Sequence, residues 1–216
     1  MSFMRNVCLL AVLFLLSSCS SSKNYFISSD YEDTVTDKEV LIVPVYREQF
    51  TETPKPIFGY LNSSQKAILE SELEAFFNNT LNIPVKIYDD SRSFSSDSFS
   101  LERATLNETE FFILKPQDEV FSDSGFILFI DEFSFNTQTR EVRSSSYAGH
   151  GKSIKRILYF ETKYSLWDNV NKKIAAYGQF NTSKEVSSEV TEEDYASVIR
   201  AVLDDIAKSS PLRAKS

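Results

Sequence analysis

Histidine, cysteine and paired carboxylates are the side chains that most often do chemistry, and in this sequence they are sparse. There are one histidine and two cysteines among 216 residues. His150 sits in Gly149-His150-Gly151. As a general base or metal ligand it would need an acidic or thiol partner; none is evident, and it is read as an exposed loop residue. Gly151-Lys152-Ser153 matches the end of a phosphate-binding loop. The Gly that motif needs five residues earlier is Ser146, however, and the segment leads into a strand pattern, not a helix. Asp89-Asp90 and Asp131-Glu132 could bind a cation or act as acid and base, but adjacent carboxylates near strand ends are more often solvated turns. No G-x-S-x-G elbow, H-E-x-x-H helix or EF-hand loop is present. No catalytic residue, metal site or cofactor is expected, and an enzyme ranks third among the function classes.

One charge pattern stands out from the background. The chain carries 23 basic and 31 acidic side chains, net −8, which argues against nonspecific nucleic-acid binding. Between Arg140 and Arg156, however, lie Arg140, Arg143, Lys152, Lys155 and Arg156, with Glu141 the only acid. Ser144-Ser145-Ser146 and two glycines give this stretch the composition of a long, mobile hairpin loop. It is either a solubilising loop or a contact for an anionic partner: lipid head groups, lipopolysaccharide phosphates or an acidic protein.

Both cysteines lie near the start. Arg5 precedes an apolar run from Val7 to Leu16, then Ser17, Ser18 and Cys19. A basic n-region, an h-region of roughly ten residues and small residues before a cut site form an export signal, too short to span a bilayer. A start at Met4 would leave the same signal. Leu16-Ser17-Ser18-Cys19 resembles the lipobox of bacterial lipoproteins at all four positions. That resemblance implies cleavage before Cys19, a diacylglyceryl group on its sulfur and an acylated new amino terminus. Two or more acyl chains make such an anchor effectively permanent, at about 0.8 kcal/mol per buried CH₂. Ser20 in place of Asp implies, by analogy with enterobacterial sorting, the outer membrane. Removing Arg5 with the signal leaves 22 basic side chains against 31 acidic, net −9, and Cys19 as the sole cysteine. The mature domain then has no free thiol and no internal disulfide.

The elements that must position these groups follow from pattern. Residues 1–18 form the signal, 19–37 the lipidated cysteine and a flexible tether, 38–210 a single periplasmic domain and 211–216 a tail. Ser20 to Asp37 is polar apart from Tyr25-Phe26-Ile27, and would span at most about 60 Å. Val40 to Tyr46 is a near-continuous apolar, β-branched run, hence a buried strand, with Pro44 marking a bulge or edge position. Asn62 or Ser63 caps a helix to about Asn78, with Ile68, Leu69, Leu73, Phe76 and Phe77 on one face. A strand around Ile83 to Tyr88 completes a βαβ unit. Leu101 to Leu114 fits neither the helical nor the strand period cleanly and is left open between helix and strand, with irregular or helical structure preferred. Phe126–Phe135, Ile154–Trp167 and Lys173–Lys184 read as strands, the last two as a hairpin across Asp168-Asn169-Val170-Asn171. Thr191 caps a final helix with acidic residues at its start, an apolar stripe from Tyr195 to Ile206, Lys208 at its end and Pro211 beyond. The fold expected is α+β: a mixed sheet of about five strands with helices on one face, in the order β-α-β-(α)-β-β-β-α.

That order on a lipidated tether is similar to a fold shared by the N-terminal domain of TolB, the lipoprotein activators of penicillin-binding proteins and the curli secretion lipoprotein CsgG. Asp168-Asn169-Val170-Asn171-Lys172-Lys173-Ile174 resembles the D…(T/N)GK-apolar turn that joins two long strands there, with the usual Gly missing. The resemblance implies a noncatalytic envelope protein that binds partners, and it transfers no functional residue. A membrane-anchored periplasmic interaction module is therefore the leading class, and a structural subunit of an oligomeric secretion or surface complex the alternative. Cys19→Ala is expected to abolish labelling by radioactive palmitate and to move the protein out of the membrane fraction; retained labelling would contradict the lipobox reading.

Overall fold

The computed structural model describes residues 24–46, 61–81, 84–88, 98–117, 121, 124–143, 152–187 and 189–212. In chain order its elements are β1 (Tyr25–Ile27), β2 (Val40–Val45), α1 (Ser63–Thr80), β3 (Val85–Ile87), β4 (Phe99–Leu106), β5 (Thr109–Pro116), β6 (Phe126–Arg143), β7 (Lys152–Asp168), β8 (Lys173–Val186) and α2 (Glu192–Lys208). A short 3-10 turn, Ser29–Tyr31, follows β1. The fold is α+β. Six strands make one mixed sheet in the order β1-β8-β7-β6-β2-β3. β2 runs parallel to β3 and β6, while β6, β7, β8 and β1 pair antiparallel in succession.

All six residues of β2 are buried. Val40 and Ile42 enter the core beneath the helices, and Leu41, Val43 and Val45 the core on the opposite face. Burial on both faces is why this segment is a continuous apolar run and not an alternating one. Pro44 lies beyond the three residues that pair with β3, opposite Ile130 of β6, where among the described residues the strand has a single neighbour and proline is tolerated.

Both helices cover one face of the sheet. α1 is closed at its start by a capping box: the Asn62 side chain accepts from the Gln65 N–H at 2.9 Å and the Gln65 side chain from the Asn62 N–H at 3.0 Å. In α2 the Asp194 carboxylate accepts from the Thr191 N–H at 3.0 Å and pairs with Lys184 at 2.9 Å. The Thr191 backbone bond foremost, then the Lys184 and Thr191 side chains, hold that carboxyl at about 2. Leu69, Leu73 and Phe77 of α1 meet Val198, Ile199, Val202, Leu203 and Ile206 of α2 over Leu128, Ile130, Leu158 and Phe160.

Three expectations are corrected. The sheet has six strands, because β1 joins it. Residues 101–114 are neither helical nor irregular but contribute to an antiparallel hairpin, β4–β5, on the face the helices leave open. Its Phe111 and Ile113 pack on Tyr177, and its Leu114 joins Ile127, Phe129 and Trp167. Its two-residue turn, Asn107-Glu108, has φ of 49° and 64°, the conformation of a tight hairpin that usually advertises itself by a Gly; here no Gly does.

The third correction concerns the tether, which is docked from Asn24 onward. β1 pairs Tyr25 with Gly178, Phe26 with Tyr177 and Ile27 with Ala176. The Gln179 N–H donates to the Asn24 carbonyl at 2.8 Å, and the Ser28 N–H to that of Ala175 at 2.9 Å. Gly178 makes the close approach possible, since a Cβ there would sit 2.7 Å from both Asn24 O and Tyr25 Cβ. The other end of the chain is docked too: the Thr36 N–H donates to the Pro211 carbonyl at 2.9 Å, and Leu212 is buried.

Asp168, at the end of β7, ties these parts together. Its carboxylate accepts the Tyr31 hydroxyl at 2.6 Å, the Val170 and Asn171 N–H groups at 2.9 and 2.8 Å, and the Asn171 side-chain amide at 2.8 Å. Burial pushes this carboxyl up, but the Tyr31 hydroxyl, the Asn171 donors and the Lys38 ammonium together bring it below the usual carboxylate range. Burial and the same hydrogen bond push the Tyr31 hydroxyl well above its ordinary value. In the turn that Asp168 organises, Lys172 has φ of 53°, so it occupies the left-handed conformation that glycine takes most easily.

Tyr31→Phe should lower unfolding stability by about 1.5–3 kcal/mol, as loss of a buried hydrogen bond to a charged group, measured by urea denaturation at neutral pH. Because the folded-state carboxyl of Asp168 lies below its unfolded value of about 3.9, its contribution is complete above that value and is lost as pH falls through the lower folded one. The wild type should therefore lose stability more steeply than Tyr31→Phe below about pH 4. Gly178→Ala should cost about 1–3 kcal/mol by overpacking and speed hydrogen exchange at the Gln179 and Ser28 amides; unchanged exchange would contradict the docking of β1.

Candidate functional site

The strands that carry the five cations leave the sheet as a ribbon. Along β6 the side-chain alternation is interrupted between Asp131 and Ser134, where a bulge shifts the register against β7. Ile130 and Phe133 consequently both face the helices. The Thr162 hydroxyl donates to the Asp131 carbonyl at 2.7 Å, and Glu132, at φ 54°, pairs with Lys163 at 2.6 Å. Such a bulge raises local twist and re-aims the strands beyond it. Asp131-Glu132 is thus not a solvated turn: Asp131 is buried, and the pair shapes a strand in mid-course.

Past the bulge, β8 accompanies β7 only as far as Val186, which lies opposite Arg156. From Lys155 outward to Lys152, β7 pairs with β6 alone among the described residues. Arg140, Arg143, Lys152 and Lys155 lie on this two-stranded extension, and Arg156 at its base. Arg140 is directly opposite Lys155, Arg143 opposite Lys152, and Arg156 stands between Thr139 and Val186. The expectation of a mobile loop from Arg140 to Arg156 is corrected at its ends, where paired strand continues to Arg143 and resumes at Lys152; residues 144–151 lie outside the described residues. His150, Gly149 and Gly151 lie outside the described residues, as do Asp89, Asp90 and Cys19. Lys152 and Ser153 open a strand, so the phosphate-loop pattern has no helix to feed.

Like charges directly opposite in a ladder are destabilising, so this arrangement is not one that folding alone favours. One acid answers it from the third strand. Glu185 pairs with Lys155 at 2.6 Å, both side chains being solvent-exposed, an interaction of small net value that solution anions can replace. Sequence spacing does not reveal this neighbour, because it comes from β8. Nor does it reveal the setting of Ile154, the first residue of the expected strand, which is 75% exposed amid the cations because it lies past the end of β8. Among the described residues no group of three His, Cys, Asp or Glu side chains converges to hold a metal ion, and no helix is long and apolar enough to cross a membrane.

No family model matches the sequence, and no curated protein matches it. Among solved structures, the chain is similar to the PelC dodecamer from Paraburkholderia phytofirmans, with 15% identity over 88% of this chain and 98% of that one and a TM-score of 0.36. Lipoprotein GNA1162 from Neisseria meningitidis matches at 13% identity over 79% and 99%, with a TM-score of 0.35. The hypothetical protein CT253 from Chlamydia trachomatis matches at 11% over 80% and 97%, with a TM-score of 0.43. At these scores the likeness is one of outline alone.

Proposed function

We propose that this chain is a membrane-anchored, noncatalytic interaction module of the bacterial cell envelope, lipidated at Cys19 and facing the periplasm from the outer membrane. The observation that carries the proposal is the pairing of two features at opposite levels of organisation. An export signal ends in Leu16-Ser17-Ser18-Cys19, and a domain otherwise rich in acidic residues gathers four cations on one two-stranded ribbon and a fifth, Arg156, at its base. The ribbon is the contact for an anionic partner. Folding does not favour facing Arg140 with Lys155 and Arg143 with Lys152, whereas an anionic partner rewards that concentration of charge.

The test is capture from crosslinked envelopes of the full-length protein and of a variant carrying Lys152→Glu, Lys155→Glu and Arg156→Glu. The wild type should retain partners whose recovery falls as salt is raised, and the charge-reversed protein should lose them while remaining in the membrane fraction. Undiminished capture by the variant at low salt would overturn the ribbon's role. Light scattering on the detergent-solubilised lipoprotein should give a small assembly; a closed ring of many copies would favour a structural subunit instead.

A further inference from the structure

We infer that the ribbon's anionic partner is the bilayer holding the protein's own anchor, and that the domain lies on it along the β1–β8 edge with the strands parallel to the surface. The inference rests on the proposed lipidation of Cys19. Its physical basis is the length of chain between that anchor and the first docked residue. From Cys19 to Asn24 the chain spans at most about 18 Å, and Asn24 is held on β8 through its carbonyl and the Gln179 N–H. The head-group surface must therefore pass within that distance of Asn24. With the whole segment to Asp37 free, the domain could have stood clear; with β1 docked it is held close.

The short reach excludes both upright poses. Seven residues separate Gln179 from Val186, and Arg156 opposite Val186 is followed outward by Lys152. At about 3.4 Å per residue the ribbon's outer end lies about 38 Å from Asn24 along the strands. An upright domain with its ribbon downward would therefore drive that end about 20 Å below the surface, where cationic side chains are strongly disfavoured. In the inverted pose the chain before β1 would have to turn back past β8 from Gln179 to Lys173, about 20 Å along the strands and beyond its reach of about 18 Å, and the ribbon's cations would be held off the bilayer. Only a recumbent pose satisfies the length and the charge together.

The edge that this pose turns to the bilayer has the chemistry of an interface. β1 is the outermost strand of the sheet. Its Phe26 is 39% exposed and stacks on Tyr177 at 5.0 Å. Beyond Val186 the same edge passes to β7, where the exposed Ile154 precedes Lys155, with Glu141 across from Ile154, Arg140 across from Lys155 and Arg156 next inward opposite Val186. Apolar side chains between cations are the pattern of interfacial binding, in which shallow burial adds to attraction for anionic lipid. The remaining surface is acidic on balance, so an anionic leaflet repels the other orientations and attracts this edge.

Since Cys19 would be the sole mature cysteine and blocked by lipid, single-cysteine labelling reads the pose directly. Ile154→Cys, Val170→Cys and Leu101→Cys, all at exposed positions, are made in the full-length precursor, lipidated in a bacterial host and labelled with a fluorophore. They are then placed in vesicles of phosphatidylethanolamine and phosphatidylglycerol bearing nitroxide on a fraction of the head groups. The label of Ile154→Cys should lose most of its fluorescence. That of Leu101→Cys, on the hairpin, should keep its own, and that of Val170→Cys, in the turn at the other end of the same edge, should be quenched as well. Adding Arg140→Glu and Arg156→Glu to Ile154→Cys should restore its signal without releasing the protein. If the wild type takes up label or fails to float with vesicles, the anchor reading falls, and the pose with it. If it floats unlabelled but Ile154→Cys is quenched no more than Leu101→Cys, the pose alone is overturned. Quenching of Ile154→Cys confined to vesicles supplemented with an acidic protein would assign the ribbon to a protein partner and overturn it likewise.

Discussion

The buried carboxylate of Asp168 is the interaction on which the rest of this architecture depends. It stands at the junction of β7 and β8, and the turn that follows is built from its hydrogen bonds to Val170 and Asn171. Its remaining capacity is taken by the Tyr31 hydroxyl, 137 residues away in sequence. A carboxylate buried in this position must be satisfied by several donors or it would protonate. The need for the tyrosine therefore converts a local turn into a clasp. That clasp holds the 3-10 turn after β1 and positions β1 on Gly178, and in doing so it takes most of the slack from what would be a tether.

The sheet is constrained from both sides in different ways. On one face two capped helices bring large aliphatic side chains against Leu128, Ile130, Leu158 and Phe160. On the other the β4–β5 hairpin covers Trp167, Ile127 and Phe129 without joining the sheet. With both faces spent on the core, the sheet has surface left for recognition only at its edges and at the ribbon beyond the bulge. The bulge at Asp131 serves that division. It resets the inward face of β6 so that Phe133 and Phe135 continue the helix-side core, while the twist it introduces carries the cationic ends of β6 and β7 away from it.

Docking of β1 also ties placement of the lipid to placement of the charge. A free segment to Asp37 would leave the two independent, and the ribbon could address any anionic molecule in reach. A segment docked from Asn24 makes the anchor a short lever on one sheet edge. The same edge, continued past the end of β8, is where Ile154, Lys155 and Arg156 emerge.

Much of this is legible in the chain itself. The β2-α1-β3 unit, the β7–β8 hairpin and the terminal helix α2 each depend on local signals: a continuous β-branched run, a cap followed by a 3.6-residue apolar stripe, or an Asx turn after alternation. Local signals are short-range physics, and for these elements packing agrees with them. The cationic cluster is equally visible, because charge needs no partner to be counted. Tertiary structure decides what depends on a distant neighbour. Tyr25-Phe26-Ile27 is too short to declare itself a strand and becomes one only because Gly178 leaves room and Asp168 holds Tyr31. The β4–β5 hairpin lacks a glycine in its turn and gains its stability from the sheet face it covers. The five cations are countable in sequence; that four of them face one another in two pairs, with Arg156 at their base, Glu185 beside Lys155 and Ile154 exposed among them, follows from a register set by the core far below.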